Sequence, residues 1–398
     1  MPLISTFFHS WPFIIRRFLS GAAFITSITF FVFFKTKGIG YFEASILLSL
    51  MTFMPVLAEI PTGAFADTYG RKKSTLVSIF IEIACLIAII ATNSFPILIC
   101  IFIIWGIGNT FSSGATNAWA IDRFPLDTKE SHMENYFAMN SSAFSAGMVL
   151  AGIISSLLLS FFSGDSVWWF RLGITLISFG SLLFIHEQFT REDSERHSYA
   201  IFLESIKDGV RVLRKSITLQ YLIGAEFFLA VALFLVSGAA MQSFLVSAGL
   251  KENIWGSIYS TTAFVTVFVP IFAMKASRLF KKKTNYLVLI LIAQALLFFL
   301  ATLLVNPIYA TFLLFFYNIS EDLFNPVASA FFHKHIPSKV RATVESFQSA
   351  ILAVGYTIGM LGGGYISEHL SWSGAMTLSL LFFGLSALFY GKAENHGK

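Results

Sequence analysis

Twelve long apolar stretches constrain the fold of this chain more than any other feature. They cover residues 14–35, 41–66, 74–93, 96–122, 138–162, 165–186, 219–247, 253–274, 285–304, 308–332, 344–366 and 371–391. A hydrocarbon core about 30 Å thick needs about 20 apolar residues per helix. Strands of a membrane barrel would instead alternate in polarity over about 10 residues. We therefore predict an all-α membrane protein with twelve transmembrane helices.

Composition agrees with a membrane environment and narrows the function classes. Of 398 residues, 56% are hydrophobic and 12% are charged, whereas soluble domains are about 25% charged. No phosphate-binding Gly-x-x-x-x-Gly-Lys-Ser/Thr loop is present, which argues against an ATP-driven pump. The two cysteines, Cys85 and Cys100, lie in apolar stretches without metal or disulfide spacing. We expect no enzyme activity, no metal and no cofactor.

Basic residues are distributed unevenly among the loops. With the N-terminus in the cytoplasm, the basic residues fall on the cytoplasmic side, and Arg16 and Arg17, at the start of the first stretch, are assigned to the N-terminal segment. The exceptions are Lys35, Lys37, Arg171 and Lys251. This asymmetry follows the positive-inside rule, so we predict a multi-pass protein of the inner (plasma) membrane with both termini cytoplasmic. The net charge of +5 then reflects topology and requires no nucleic-acid partner.

A polar segment divides the twelve stretches into two sets of six. It predicts an N-terminal six-helix bundle over residues 1–186, a cytoplasmic linker over 187–218 and a C-terminal bundle over 219–398. Within the linker, residues 199–215 have the pattern of an amphipathic surface helix. Two pseudo-symmetric bundles with a solute site near the midplane are typical of secondary transporters, and we expect a monomer.

The loop after the second stretch carries a motif. It reads Gly63-Ala-Phe-Ala-Asp67-Thr-Tyr-Gly70-Arg71 and continues with two lysines. It resembles the signature loop of the major facilitator superfamily, in the matching position between helices two and three. The resemblance implies two six-helix bundles and secondary transport. It also implies that Asp67 and Arg71, together with Asp122 at the end of the fourth stretch, close the cytoplasmic side of the transporter.

The subfamily resemblance covers about twenty residues of the fourth stretch. The run from Ser113-Gly114 through Ala118-Trp119 to Asp122 resembles segments of multidrug-efflux members. The arginine motif of helix four and the proline motif of helix five that mark many drug–proton antiporters are missing. The resemblance implies a multidrug-efflux-like member.

Ionisable and amide side chains inside the apolar stretches are functional candidates, because they are costly in hydrocarbon. The tenth stretch carries Asn318, Glu321, Asp322 and Asn325, and the fourth carries Asn109, Ser113 and Asn117. Further carboxyl groups lie in other stretches, at Glu59, Glu82 and Glu226. Two adjacent carboxylates in a low-dielectric cavity repel each other, so at least one of them should bind a proton readily. A proton carrier requires such a group. The alternative is a packed polar network between helices.

These features predict a secondary active transporter that moves a small solute by alternating access. We expect proton-coupled export of a neutral or cationic amphipathic compound, because the carboxyl groups lack a basic partner and Arg171 is assigned to the interface. Proton-linked or facilitated uptake of a polar metabolite is the alternative. A passive channel or a transporter-like sensor is a second alternative. The expected partners are the solute, protons and the lipid bilayer.

Overall fold

The structure is a computed structural model that describes residues 2–124, 129–187, 211–336 and 341–395. It contains helices and no strand among these residues. The helices are α1 (Pro2–Ala22), α2 (Ile25–Ile28), α3 (Phe30–Thr36), α4 (Tyr41–Tyr69), α5 (Arg71–Ala91), α6 (Phe95–Thr110), α7 (Ala115–Ile121), α8 (Lys129–Phe161), α9 (Asp165–Leu183), α10 (Ile217–Ser237), α11 (Ala239–Ser247), α12 (Glu252–Thr266), α13 (Val269–Ser277), α14 (Lys283–Leu303), α15 (Pro307–Lys334), α16 (Arg341–His369) and α17 (Trp372–Asn395).

The predicted apolar stretches are occupied by these helices. Among the described residues, nine spans are long and apolar enough to cross a membrane, and eleven if each of two pairs bent by 53° counts as one span. The bent pairs are α1 and α2 with α3, and α12 with α13. The tenth stretch forms the 28-residue helix α15. This helix is not among the nine spans or the two bent pairs. Hydrocarbon offers the backbone no hydrogen-bond partners, so each spanning segment satisfies its own groups as a helix. The all-α fold class is confirmed.

The first helix differs from its predicted boundary. It begins at Pro2 and runs to Ala22, whereas the apolar stretch begins at residue 14. Arg16 and Arg17 therefore lie well inside α1, within the candidate span that begins at Thr6, rather than in a separate N-terminal segment. The physical reason is that a helix can continue beyond its uniformly apolar part through mixed residues such as Ser5, Thr6 and His9, so hydropathy alone does not mark its start.

The described residues belong to two compact units. The first comprises Met1–Arg191 and Lys251–Val267, and the second comprises Glu192–Leu250 and Phe268–Lys398. Helix α12 packs within the first unit against α8, where the hydroxyl oxygens of Ser156 and Ser257 are 2.9 Å apart.

The predicted linker falls largely outside the described residues, which omit 188–210. The predicted amphipathic helix is affected in the same way, since only residues 211–215 of it are described. The division into 1–186, 187–218 and 219–398 stays a prediction.

Glycines allow helices of each unit to touch at their backbones. A Cβ atom added to Gly147 of α8 would lie 2.1 Å from the carbonyl oxygen of Phe18 in α1. One added to Gly363 of α16 would lie 2.3 Å from the carbonyl oxygen of Leu235 in α10. Small residues drive this kind of helix association in membranes, where the hydrophobic effect does not act between helices.

We expect Gly147→Ala to lower the midpoint of thermal unfolding, because its methyl group meets backbone that cannot rotate away. Gly180→Ala in α9 is the matched control, since a Cβ there has no neighbour within 4 Å. It should leave the midpoint unchanged or raise it, because alanine is favoured over glycine in helices by about 1 kcal/mol. Tryptophan fluorescence of the detergent-solubilised protein during heating measures both. Equal midpoints for the two variants would contradict the close contact of α1 with α8.

Candidate functional site

The signature loop forms a sharp junction between α4 and α5. Gly70 separates the two helices with φ +101°, a conformation that other residues rarely adopt. The next residue, Arg71, forms a salt bridge through Nη1 to Oδ2 of Asp122 at the end of α7. The Arg71 backbone N–H donates a hydrogen bond to Oε1 of Glu187 at 2.7 Å. The glycine therefore places a cationic helix start against two carboxylates.

The other two loop residues stay outside this cluster. Asp67 is exposed and has no ion pair or hydrogen bond with the part of the chain that the structure describes. Gly63 is exposed in α4, and a Cβ there would meet nothing within 4 Å. The structure thus brings Arg71 and Asp122 together, adds Glu187, and leaves Asp67 apart.

The fourth predicted stretch is interrupted. Residues 111–114 form turns between α6 and α7, and Gly114 has φ +69°. The predicted face of Asn109, Ser113 and Asn117 is therefore not one continuous helical face. Ser113 Oγ donates a long hydrogen bond to Oε1 of Glu59 at 3.4 Å.

The remaining two polar residues of this segment have different surroundings. The hydroxyl of Tyr136 in α8 donates to Oδ1 of Asn117 at 3.0 Å. Asn109 instead lines a half-open cavity of the first unit. The break at Gly114 thus distributes one predicted polar face among three sites.

That cavity has a volume of about 290 Å³. Helices α1, α4, α5, α6, α8 and α9 contribute to its wall. Three charged side chains line it, namely Arg16, Glu82 and Arg171. Pockets for small molecules typically have volumes of about 300–1,000 Å³ with a few convergent polar groups, so this cavity is at the lower end of that range.

Arg171 lies at the centre of a polar network on one side of the cavity. Its Nη2 donates to Oε1 of Glu82 at 2.8 Å, and its Nη1 donates to Oγ1 of Thr26 at 2.5 Å. Its guanidinium also lies over the ring of Trp105, 4.6 Å from the ring centroid, which is a favourable cation–π geometry. The side chains of Arg171 and Glu82 are 14% and 22% exposed. The expectation that Arg171 is interfacial is wrong.

Arg16 lines the same cavity from α1. It has no hydrogen bond or ion pair with the described residues, and its Nε is buried without a partner. The neighbouring Arg17 points elsewhere, with its guanidinium 4.1 Å from the centroid of the Phe144 ring. Arg16 and Arg171 therefore line a cavity that the sequence predicts to contain no basic group. The sequence favours a neutral or cationic solute because it predicts carboxyl groups without a basic partner, and these arginines remove that reason.

The second unit contains the carboxyl groups of α15 and α10. Tyr317 donates from its hydroxyl to Oε1 of Glu321 at 2.9 Å. Asn318 uses its amide to donate to the carbonyl of Leu314 at 2.8 Å, so it serves its own helix. Asp322 is half-buried and Asn325 is exposed. The predicted set on the tenth stretch does not converge on one point.

Glu226 of α10 contacts helix α16. Its Oε2 accepts a hydrogen bond from the amide of Gln348, and Tyr356 of the same helix lies near both Glu226 and Glu321. Sequence analysis missed Gln348 and Tyr356, because an amide and a phenol in an apolar helix resemble packing residues. Glu226 and Glu321 thus have neutral hydrogen-bond donors beside them.

Among the described residues, no group of three or more His, Cys, Asp or Glu side chains is arranged to hold a metal ion. Cys85 is buried and Cys100 is exposed, and both are free.

Comparison with known proteins decides the family. The family model "Major Facilitator Superfamily" matches residues 13–344 and, in a second match, residues 222–398. The chain belongs to the major facilitator superfamily.

A curated relative and solved structures agree with this assignment to the superfamily. The chain is 22% identical over 368 residues to the "Uncharacterized MFS-type transporter YxaM" of Bacillus subtilis (strain 168), covering 92% of this chain and 91% of that protein. The nucleoside transporter NupG has a similar fold, with a TM-score of 0.71, 16% identity and full coverage of both chains. A bacterial homologue of the lysosomal transporter Spinster, in an inward-facing conformation, has a TM-score of 0.71, 14% identity and coverage of 99% and 97%. The chain is a multi-pass membrane transporter of the superfamily.

The Arg171–Glu82 pair generates a stability prediction. Removing one partner of a buried ion pair leaves an uncompensated charge, which costs about 3–5 kcal/mol when burial is complete. Both side chains here keep some exposure, so we expect each of Glu82→Gln and Arg171→Gln to cost about 1–3 kcal/mol. The double variant should lose less than the sum of the two single losses.

Thermal unfolding of the four proteins of this double-mutant cycle measures the coupling. A cycle on His333 and Glu345 is the matched control, because their ion pair of 3.2 Å has side chains that are 43% and 41% exposed. It should show little coupling. Additive losses at Arg171 and Glu82 would contradict the pairing seen in the structure.

Proposed function

We propose that this superfamily member is a proton-coupled secondary transporter, and that the proton is carried by carboxyl groups of the second unit. One observation supports this proposal most strongly. Glu226 lies in a candidate membrane span and Glu321 lies in α15, and within the described residues their hydrogen-bond partners are neutral, the Gln348 amide and the Tyr317 hydroxyl. A carboxylate without a fixed cation is neutralised in hydrocarbon by binding a proton. Such a group binds and releases protons as its access to water changes.

The first unit provides the contrast. There the membrane-embedded carboxylate of Glu82 has a permanent cation beside it, Arg171 at 2.8 Å. A carboxylate that is already paired with an arginine is poorly suited to carry protons. We therefore assign the proton to the second unit and solute contact to the cavity of the first unit.

We further propose alternating access without ATP hydrolysis, in a monomer of the bacterial plasma membrane with both termini cytoplasmic. The direction that we propose is export in exchange for protons. It rests on the resemblance of the segment from Ser113 to Asp122 to multidrug-efflux members.

The Arg71–Asp122 salt bridge is the proposed gate on the side of the signature loop. It joins the start of α5 to the end of α7, so its breakage would free two helix ends. Glu187 strengthens the contact by accepting a hydrogen bond from the Arg71 backbone. An exposed salt bridge is worth only about 0–1 kcal/mol, which suits a contact that must open in every transport cycle.

Proton coupling is tested in liposomes that contain a trapped pH dye. Panels of cationic, neutral and anionic solutes are applied, and solute-dependent proton flux is recorded for wild type, Glu321→Gln and Asp322→Asn. We expect Glu321→Gln to abolish coupled proton flux, because an amide does not bind protons. Glu252→Gln, in the first turn of α12, is the matched control and should keep the flux. Solute movement without proton flux, unchanged in Glu321→Gln, would contradict the proposal.

The same assay reports direction. Export by antiport requires that the solute leave the compartment as protons enter it. Accumulation of solute together with protons would show uptake instead.

The gate is tested by exchanging charges. Arg71→Asp and Asp122→Arg should each reduce the transport rate at least severalfold, since like charges then face each other. The double variant restores an ion pair and should recover part of the rate. Lys73→Gln is the matched control, because Lys73 is exposed and has no ion pair or hydrogen bond in the described structure. Failure of the double variant to recover any activity would contradict a gate made by this pair.

A further inference from the structure

The charges around the cavity of the first unit do not balance. Arg16, Arg171 and Glu82 line it, which leaves one positive charge in excess. Glu82 is engaged by Arg171 through a direct hydrogen bond. The excess charge therefore resides on Arg16.

Arg16 lies in a candidate membrane span and makes no hydrogen bond or ion pair with the described residues, although the charge of Glu82 also acts on it. Its Nε is buried without a hydrogen-bond partner, and so is the Nε of Arg171. A buried donor without a partner is costly, and more so when it is charged. Proteins keep such groups where a ligand supplies the missing interaction. Two guanidinium groups that line the same cavity define where that ligand would bind.

The rest of the wall indicates the kind of ligand. The side chains of Ser20 and Asn109 provide hydrogen-bonding groups, and Phe24, Phe144 and Ile174 provide apolar surface. A guanidinium presents a planar fork of donors that matches the two oxygens of a carboxylate. The volume of about 290 Å³ admits a small solute. These features fit a small amphipathic carboxylate.

We propose that the cavity of the first unit binds a small organic monoanion, with Arg16 as the residue that binds its carboxylate. The inference rests on the proposed transport function and names the class of solute for that function. Glu82 competes with the solute for Arg171. Because Glu82 pairs with Arg171, the cavity has only one unit of excess positive charge. The cavity therefore suits a monoanion better than a dianion, and a cation not at all.

Three ligands of nearly equal size and shape test the charge preference. Benzoate is anionic, benzamide is neutral and benzamidine is cationic. Binding to the purified full-length protein is measured by the rise of its thermal midpoint with ligand concentration and by calorimetry. We expect benzoate to bind at least about tenfold more tightly than the other two, since a hydrogen-bonded charge pair is worth about that factor or more.

Variants assign the preference to a residue. Arg16→Gln should reduce benzoate affinity about tenfold and leave benzamide affinity unchanged. Arg17→Gln is the matched control, because this neighbouring arginine packs on Phe144 and is not part of the cavity wall. It should keep the benzoate preference. Arg16→Lys keeps the charge without the planar fork and should fall between wild type and Arg16→Gln, which also provides a readout if Arg16→Gln does not fold.

A third variant tests the competitor. Glu82→Gln releases Arg171 and adds one unit of positive charge, so benzoate affinity should rise even though the pairing in the bundle is lost. A purely structural role for these groups predicts the opposite, a fall with every variant.

Several results would overturn the anion site. These are no thermal shift with benzoate, an equal shift with benzamide, or an unchanged benzoate preference in Arg16→Gln. The results that would overturn the proposed transport function are different ones. Benzoate binding that depends on Arg16, without proton-coupled flux of any anion, would support the anion site and contradict proton coupling. Proton-coupled flux of neutral or cationic solutes without benzoate binding would support proton coupling and contradict the anion site.

Discussion

The hydrocarbon layer supplies no hydrogen-bond partners, and this constraint shapes both the backbone and the charged side chains of the chain. It requires each spanning segment to be helical, and it allows helices to approach where glycines such as Gly147 and Gly363 expose the backbone. It also requires each ionisable side chain within a span to have a partner, to bind a proton or to serve a ligand. The two units meet this requirement in different ways.

In the first unit, Arg171 neutralises Glu82 and a second arginine, Arg16, is left over. In the second unit, Glu226 and Glu321 are accompanied by neutral donors. An arginine without an ion pair and carboxyl groups without a paired cation, placed in separate units, are the elements of a carrier that couples an anionic solute to protons. The division of labour that we propose follows from these partners and does not depend on any relative's substrate.

The sequence predicts some of these features well. Apolar stretches about as long as the hydrocarbon core is thick locate the spans, and Gly70 followed by Arg71 locates the junction between α4 and α5. Asp122 was named as a partner of Arg71, and the structure brings the two together. These features are local or belong to a short motif, so they need no knowledge of packing.

The cavity was beyond such reasoning. Arg16 is only two residues inside the first apolar stretch, where a cation has the same pattern within or outside a helix, and only the extent of α1 shows that it lies well inside one. Glu82 and Arg171 are 89 residues apart, and only helix packing shows that they pair. The break in the fourth stretch had a signal in Ser112-Ser113-Gly114, but only the positive φ of Gly114 shows that its polar face is divided.

Cysteine accessibility tests the central claim most directly, namely that water and anions reach the cavity beside Arg16. In a background with Cys85 and Cys100 replaced by serine, Ser20→Cys is treated with an anionic and a cationic methanethiosulfonate reagent of similar size. Ile104→Cys, on an exposed apolar surface of α6, is the control. The account predicts that Ser20→Cys reacts, that the anionic reagent is the faster, and that Ile104→Cys reacts with neither. Equal protection of both cysteines, or faster reaction with the cationic reagent, would contradict it.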